Sequence, residues 1–172
     1  TLGRAGHSSE ILKRIPNGQL IAFDQDIKAI EESNQFLKTI NDNYTLIHDN
    51  FVNLRKHLDE LNISKVDGIL MDLGVSSPQF DDGERGFSYR YDARLDMRMD
   101  QSATLDAHYI VNNYDLNDLV RIFRDYGEEK YAYQIARNIV EKRAIKTIDT
   151  TFELVDIIKD SLPKKELAKK GH

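Results

Sequence analysis

The sequence predicts an α/β fold in its first hundred residues and a helical region after it. Three short apolar runs alternate with segments whose apolar residues recur at helical spacing. The runs cover residues 19–24, 44–49 and 66–73. Strands that alternate with helices of this length pair in parallel, and near-continuous apolar runs are typical of strands covered on both faces. We therefore expect an α/β domain over residues 1–102 and a helical domain over residues 103–172.

Local signals place the ends of several elements. A glycine-bearing turn opens the first helix, which ends at Pro16-Asn17-Gly18. Gly127 ends a helix in the second half of the chain. Thr150 precedes Glu153 by three residues, a capping-box pattern that begins another helix. Residues 74–102 have no clear period but many aromatic side chains, so we expect a long ordered loop there.

Composition narrows the function classes. The chain of 172 residues is 40% hydrophobic, carries a net charge of −5 and has no cysteine. Disulfides, thiolate nucleophiles and thiolate metal sites are therefore excluded, and no metal site is expected at His7, which has no second ligand at a suitable spacing. The absence of cysteine suits a cytoplasmic location, which is expected here, and the sequence shows no secretory signal and no apolar stretch of membrane-spanning length. The acidic balance argues against a broad nucleic-acid surface but leaves room for a local one.

The segment GRAGHS, at residues 3–8, opens the first helix with two glycines. Glycines let a backbone approach a ligand, and free N–H groups at a helix start attract anions. A tight connection without a ligand is an equally good interpretation of such a turn. Its spacing differs from the dinucleotide pattern G-x-G-x-x-G, which counts against an NAD site.

Asp24 follows this turn by about twenty residues and closes the first apolar run. An acid at that place commonly holds the hydroxyls of a ribose. The alternative is that Asp24 caps the next helix, but Asp26 is available for that task. Asp24 is therefore a candidate ligand-binding residue.

Carboxylates recur at the ends of the other two predicted strands, as Asp49 and Asp72. Because parallel strands end at one edge of a sheet, this repetition indicates a polar ligand rich in hydroxyls and amines. Phe51 could lie against a flat base at this edge, although its residue type alone favours a core position in the next helix. The turn Ser76-Ser77-Pro78-Gln79 adds hydroxyl and amide groups that could bond a nucleobase.

Arginines alternate with aromatic residues between positions 85 and 99. Guanidinium groups hold phosphates and aromatic rings stack on unpaired bases, so this segment is a candidate RNA contact. Acidic residues balance its charge, and a self-contained ion-pair loop is about as good an interpretation. The four arginines are Arg85, Arg90, Arg94 and Arg98.

Six segments, found in order along nearly the whole chain, carry a family resemblance. They are TLGRAGHS, FDQD, NF, VDGILMDLGVSSPQFDDGERGFSYRYDARLDMRMD, YGEEKYAYQIARNIV and TTFELVDII. Together they closely resemble the bacterial ribosomal small-subunit RNA cytosine-N4 methyltransferase (methyltransferase H) family. The block from Val66 to Asp100 is the most diagnostic.

The resemblance implies a class I S-adenosylmethionine-dependent methyltransferase (Rossmann-like) sheet with an inserted all-helical domain. It implies methylation of the exocyclic N4 of a cytidine in 16S rRNA of the small ribosomal subunit. The family's first strand and its last strands have no counterpart here, and the chain begins without Met, so we expect a fragment of a longer protein. That absence puts cofactor binding and activity of this fragment alone in doubt.

The resemblance also assigns residues. It implies cofactor contacts, which fall on Ala5, Gly6, His7, Asp24, Phe51, Asp72 and Gln79. The family usually has glycine where this chain has Ala5, and alanine would be tolerated there if its φ is negative. The turn at Ser76 and Ser77 resembles in placement the Asp/Ser-Pro-Pro-aromatic turn of amino-group methyltransferases, which assigns these two serines to catalysis.

Two other functions remain open at this stage. A nucleotide- or NAD-binding oxidoreductase would share the acid at Asp24 but not the glycine spacing. A non-catalytic RNA-binding module would share the arginine-rich segment but would leave the acidic strand ends unexplained.

Overall fold

The computed structural model describes residues 2–168 and is a mixed α/β structure. Thr1 and residues 169–172, at the outer ends of the two predicted domains, lie outside the described residues. The chain forms two compact units. The first unit comprises residues 1–76 and 99–101, and the second comprises residues 77–98 and 102–172.

The first unit contains a parallel pair of strands, as the apolar runs predict. Strand β1 spans Leu20–Asp24 and β2 spans Tyr44–His48. Their register runs from Leu20 opposite Tyr44 to Asp24 opposite His48, so both strands end at the same edge. The candidate acid Asp24 is therefore directly beside the end of the neighbouring strand.

Helices precede and follow these strands and cover a small core. The helices are α1 (Gly6–Arg14), α2 (Ile27–Leu37) and α3 (Leu54–Glu60), and a 3₁₀ turn over Phe51–Asn53 leads into α3. Leu12 of α1 and Leu37 of α2 are fully buried and pack with Ala22 of β1. The period-based prediction of these helices is confirmed.

The prediction of a third strand at residues 66–73 is wrong. The sheet has the order β1-β2, and residues 66–73 form no strand. Their apolar side chains, Ile69 and Leu70 among them, are exposed. The edge of β1 away from β2 is engaged by Leu2, whose amide donates to the carbonyl of Phe23 at 2.9 Å. An apolar run indicates a tendency to be buried, but it does not say which strand will pair with it.

The second unit is helical. Its helices are α4 (Ser77–Asp81), α5 (Ala107–Asn113), α6 (Leu116–Arg121), α7 (Ala132–Arg143), α8 (Thr151–Ser161) and α9 (Lys164–Leu167), and α6 continues as a π-helical segment over Ile122–Tyr126. Leu119 of α6 and Ile139 of α7 are fully buried at its core. The π-helical segment is capped at Gly127, and α8 begins with the predicted capping box at Thr150 and Glu153.

The predicted loop 74–102 is divided between the two units. Residues 77–98 belong to the second unit, although the prediction groups them with the α/β domain. The physical reason is backbone pairing with the start of α8. Leu95 N donates to Asp149 O at 3.0 Å and Thr151 N donates to Ala93 O at 2.8 Å. Leu95 also joins the helical core, so the segment is ordered by packing that no local sequence signal reveals.

None of the described helices combines the length and the apolar composition that crossing a bilayer requires.

Candidate functional site

Asp24 holds the glycine turn against the end of β1. Its Oδ2 accepts from Gly3 N and its Oδ1 accepts from Asp26 N, both at 2.9 Å. The turn is also fastened from α2, where Ser33 Oγ donates to Gly3 O at 2.9 Å. Asp24 is 8% exposed, so the carboxylate is positioned by backbone groups on both sides. A carboxylate has about four lone-pair positions, which leaves acceptor capacity for a ligand.

Asp26, rather than Asp24, caps α2. Its side chain accepts from Lys28 N at 3.1 Å, as an N-cap does. The expectation that Asp26 is available to cap α2 is therefore confirmed, and the ligand-binding role of Asp24 stays a prediction. Asp24 lies between the glycine turn and the end of β1, which is the position expected for an acid that binds a ligand.

Ala5 adopts the left-handed conformation that favours glycine. It is the N-cap of α1 with φ 60° and ψ 21°, and it is fully buried. The condition stated for tolerating alanine at this position, a negative φ, is therefore not met. A Cβ in this conformation crowds the following carbonyl at a cost of roughly 1–2 kcal/mol. The glycine that the resemblance implies at this position would adopt this backbone conformation without that cost.

His7 and Asp72 come together, although the sequence places them 65 residues apart (72 − 7). His7 Nδ1 lies 3.3 Å from Asp72 Oδ2, and both side chains are mostly exposed. Two residues assigned to the cofactor thus meet beside the start of α1. An exposed pair of this kind adds little stability and leaves both groups accessible to a ligand.

Phe51 is exposed at the end of β2. It opens the 3₁₀ turn and is 45% exposed, so the interpretation as a core residue is wrong. Asn50 caps the turn by accepting from Val52 N at 3.0 Å, and this bond sets the direction of the chain at Phe51. The exposed ring offers a flat apolar face beside the polar strand ends.

Side chains tie the ends of the two strands together. Asn50 Nδ2 donates to Gln25 Oε1 at 3.0 Å, and His48 Nε2 lies 2.9 Å from Gln25 O. Asp49 N donates to Asp24 O at 3.1 Å, which continues the ladder beyond the strands. The acid of β1 and the aromatic ring after β2 are therefore carried on one cross-linked edge.

Asp49 has a structural partner that the sequence reasoning missed. Its Oδ2 lies 2.7 Å from His57 Nε2 of α3, while its Oδ1 accepts from Asn53 Nδ2 at 2.9 Å. The bond from His57, followed by the bonds from Asn53 and Asn50, lowers the pKa of Asp49 to about 2. His57 follows Asp49 by two helical turns, but helical periodicity alone does not predict a bond from a helix to a preceding strand end.

Ser76, Ser77 and Gln79 lie at the start of α4. The helix begins at Ser77, so the predicted rigid turn is the first turn of a short helix with Pro78 at its second residue. Ser77 is exposed and Ser76 is partly buried. Gln79 is 5% exposed within the second unit. Their assignments to catalysis and cofactor binding stay predictions.

Internal contacts engage three of the four arginines. Arg85 is 4% exposed, and its Nη2 donates to Arg98 O at 2.9 Å. Arg94 Nη1 lies 2.7 Å from Asp106 Oδ2. Arg98 binds both carboxylate oxygens of Asp96, at 2.9 and 2.6 Å. These contacts resemble the self-contained ion-pair loop that the sequence left open as an alternative.

Arg90 differs from the other three. It is exposed, and its guanidinium makes no ion pair with any residue that the structure describes. Among the four arginines, its charge is therefore the most available to a phosphate. RNA contact by the four arginines stays a prediction, and the structure favours Arg90 for it.

The Arg98 contact has an electrostatic consequence. Hydrogen bonds from Arg98 lower the pKa of Asp96 despite its partial burial. Burial raises the pKa of Asp106, but the Tyr109 amide and Arg94 outweigh it, so the net shift is downward.

Within residues 2–168, no group of three or more His, Cys, Asp or Glu side chains is arranged to hold a metal ion.

A family model described as the MraW methylase family matches residues 1–172. The chain belongs to the MraW methylase family. The resemblance carried by the six sequence segments is thereby confirmed at the level of the family.

Three curated relatives have the same name, "Ribosomal RNA small subunit methyltransferase H". The protein from Exiguobacterium sibiricum is 55% identical over 172 residues, which is all of this chain and 55% of the relative. The protein from Oenococcus oeni is 54% identical and matches all of the chain and 55% of its own length. The protein from Mycoplasmopsis agalactiae is 53% identical over 99% of the chain and 56% of its own length. The chain thus spans about half the length of these relatives.

Proposed function

We propose that the complete protein methylates the exocyclic N4 amino group of a cytidine in 16S rRNA of the small ribosomal subunit. The observation that carries the proposal is identity of 53–55% to relatives named for small-subunit rRNA methylation, along nearly the whole chain. The crosslinked strand edge with Asp24 and Phe51 supports it, because a nucleoside cofactor needs a polar acceptor and a flat apolar face. The proposed methyl donor is S-adenosyl-L-methionine.

The residues of the first unit fit such a cofactor chemically. The Asp24 carboxylate retains acceptor positions for ribose hydroxyls, and the exposed ring of Phe51 suits the adenine base. The exposed carboxylate of Asp72 suits the ammonium group of the amino-acid portion, with His7 beside it. The backbone at Ala5 and Gly6 would complete the contact from the glycine turn. In the second unit, Gln79 is the remaining candidate.

The bound cofactor would supply an electrophilic methyl group, so the protein's task is mainly to position the acceptor. The N4 lone pair of cytosine is delocalised into the ring. Hydroxyl acceptors bonded to the amino hydrogens would help to localise that pair while the new C–N bond forms. Ser76 and Ser77 are the proposed acceptors, and the released proton passes to water. The target base must leave its stack to be reached.

The finer architecture is part of the proposal. We propose that the first unit is part of a class I methyltransferase sheet and that residues 103–172 belong to an inserted helical domain. A cytoplasmic location follows from a ribosomal substrate.

Calorimetry of the complete protein with S-adenosylmethionine and with NAD tests the cofactor. We expect binding of the former alone, since the glycine turn lacks the dinucleotide spacing. Methyl transfer is then measured on small ribosomal subunits and on protein-free 16S rRNA, with nucleoside analysis for N4-methylated cytidine. Absence of methylation on both substrates would overturn the proposal.

A non-catalytic RNA-binding role makes a different prediction. In that role the wild-type protein would bind RNA without transferring a methyl group, and Asp24→Ala would act only through the stability of the glycine turn. If the proposal holds, this variant keeps RNA binding and loses methyl transfer.

A further inference from the structure

The second unit contains a pocket to which no role has yet been given. It has a volume of about 450 Å³, within the range of small-ligand sites. Two chain segments form it, one at residues 83–84 and the other at residues 91–94. Its lining consists of Gly83, Glu84, Tyr91, Asp92, Ala93 and Arg94.

In this pocket the aromatic ring of Tyr91 is held in place and exposed, so a flat ligand could stack on it. A Cβ added to Gly83 would lie 2.9 Å from Cγ of Tyr91, so the side chain of Tyr91 packs directly over the Gly83 backbone. The main chain at Tyr91 is anchored because Thr151 Oγ1 donates to Tyr91 O at 2.7 Å. The residue is nevertheless 50% exposed. The ring is therefore packed against the Gly83 backbone on one side, while much of its remaining surface is exposed.

The two segments are also held close together. Gly86 has φ +71°, and a Cβ there would lie 2.6 Å from the carbonyl oxygen of Arg94. Met97 N donates to Arg85 O at 3.0 Å, which continues this crossing. A site made of two tightly crossed segments loses little entropy when a ligand binds.

Glu84 supplies an available acceptor at the wall of the pocket. Its carboxylate is exposed and makes no hydrogen bond or ion pair with the part of the chain that the structure describes. The other polar groups are engaged, because Asp92 Oδ1 accepts from Phe152 N at 3.2 Å and Arg94 pairs with Asp106 at 2.7 Å. Arg90, next in sequence to Tyr91, adds an exposed positive charge.

We propose that this pocket binds an unpaired base with an exocyclic amino group, contributed by a single-stranded part of the substrate RNA. The base stacks on Tyr91, its amino group donates to Glu84, and Arg90 contacts a neighbouring phosphate. The inference rests on the proposed function for the source of the RNA. A cationic peptide could also stack on Tyr91 and pair with the carboxylates of Glu84 and Asp92, so it is the competing ligand in the test, whereas the exposed charge of Arg90 favours a phosphate.

The test uses the complete protein and labelled single-stranded oligoribonucleotides of cytidine or uridine, with binding measured by fluorescence anisotropy. Tyr91→Ala is expected to weaken binding of the cytidine oligomer about five-fold or more. Tyr91→Phe keeps the stacking ring and should restore binding to near the wild-type value. Tyr133→Ala removes a tyrosine of similar exposure, 51%, outside the pocket and should leave binding unchanged.

Two further variants separate this role from a general loss of structure. Glu84→Gln should reduce the preference for cytidine over uridine, because an amide can donate to the uracil carbonyl as well as accept. Gly83→Ala should weaken binding with Tyr91 still present, because the added methyl group displaces the ring. Thermal unfolding of every variant confirms that it is folded.

Equal affinities for Tyr91→Ala and Tyr133→Ala would overturn the proposal, as would an arginine-rich peptide that binds in a Tyr91-dependent manner while the oligomers do not. Methyl transfer is measured separately. Methylation with no effect of Tyr91→Ala on RNA binding rejects the pocket alone. Oligomer binding that depends on Tyr91, without methylation of either ribosomal substrate, rejects the proposed function alone.

Discussion

His57 Nε2 lies 2.7 Å from Asp49 Oδ2, so a helix side chain secures the end of the preceding strand. The same carboxylate accepts from the backbone of Asn50 at 2.6 Å and from Asn53 Nδ2 at 2.9 Å. Phe51 lies between these two asparagines. The exposed ring is thus carried by a loop that is fastened on both sides to one carboxylate.

The first prediction concerns the acid stability of this loop. The pKa of Asp49 falls from the ordinary 3.8 to about 2 in the folded protein, chiefly because of the bond from His57. A depressed pKa contributes stability that is present above the unfolded value and is lost as the pH falls through the folded value. Thermal unfolding of the complete protein should therefore show a loss of stability between about pH 4 and pH 2.

Asp49→Asn removes one of the carboxylates that titrate in this range and should make the loss of stability smaller, while Glu10 and Glu153, whose pKa values are also lowered to about 2, keep their contributions. Asp59→Asn serves as a control, because it removes an acid that forms an exposed pair with Arg55 on the same helix. An unchanged profile in Asp49→Asn would contradict the assignment.

The second prediction concerns backbone strain at Ala5, whose φ is 60°. Ala5→Gly should stabilise the protein by about 1 kcal/mol, because glycine adopts this conformation without a clash. Ala22→Gly is the matched control, since Ala22 is also buried but lies within β1. It should destabilise by about 0.5–1 kcal/mol. Urea denaturation measures both, and destabilisation by Ala5→Gly would refute the strain.

The third prediction separates the two tasks of Asp24. Asp24→Asn keeps the shape but replaces one acceptor oxygen with a donor, so either Gly3 N or Asp26 N loses its partner. Ser33→Ala loosens the same turn, by removing the donor to Gly3 O, without touching the carboxylate. Each change should cost roughly 1–3 kcal/mol in unfolding free energy.

Cofactor affinity then distinguishes the two variants. Asp24→Asn should weaken S-adenosylmethionine binding in calorimetry much more than Ser33→Ala does. Equal losses of affinity would mean that Asp24 acts only through the turn.

The fourth prediction distinguishes an arginine that stabilises the second unit from one whose charge is available to RNA. Arg98→Ala removes a two-point contact to Asp96 and the bond to Ala103 O, so it should lower stability by about 2–3 kcal/mol. Arg90→Ala removes no ion pair among the described residues and should change stability by less than about 0.5 kcal/mol.

When only folded protein is compared, Arg90→Ala should weaken RNA binding more than Arg98→Ala does. Arg90→Ala is expected to weaken binding and to reduce its dependence on salt, because one phosphate contact is lost. A salt dependence equal to that of the wild type would exclude Arg90 from the RNA contact.

Patterns in the sequence determined the local elements and the family. The positions of β1, β2, α1, α2, α3, α6, α7 and α8 follow from apolar periodicity, and the Thr150–Glu153 cap follows from two residues three apart. Helix α4, in contrast, lies within the segment predicted as a loop. These features depend on residues close in sequence, whose interactions are the same wherever the segment lies. The six matched segments predicted the family because they are long and occur in order.

Only the tertiary structure decided which groups meet. His57 reaches Asp49, His7 reaches Asp72 and Leu2 occupies the edge of β1 that a neighbouring strand could take. It also decided that Phe51 is exposed and that Arg85 is buried. Side-chain type limits what a residue can bind, but burial and partners depend on chain segments distant in sequence. Those contacts arise from packing of the whole unit, so local periodicity carries no record of them.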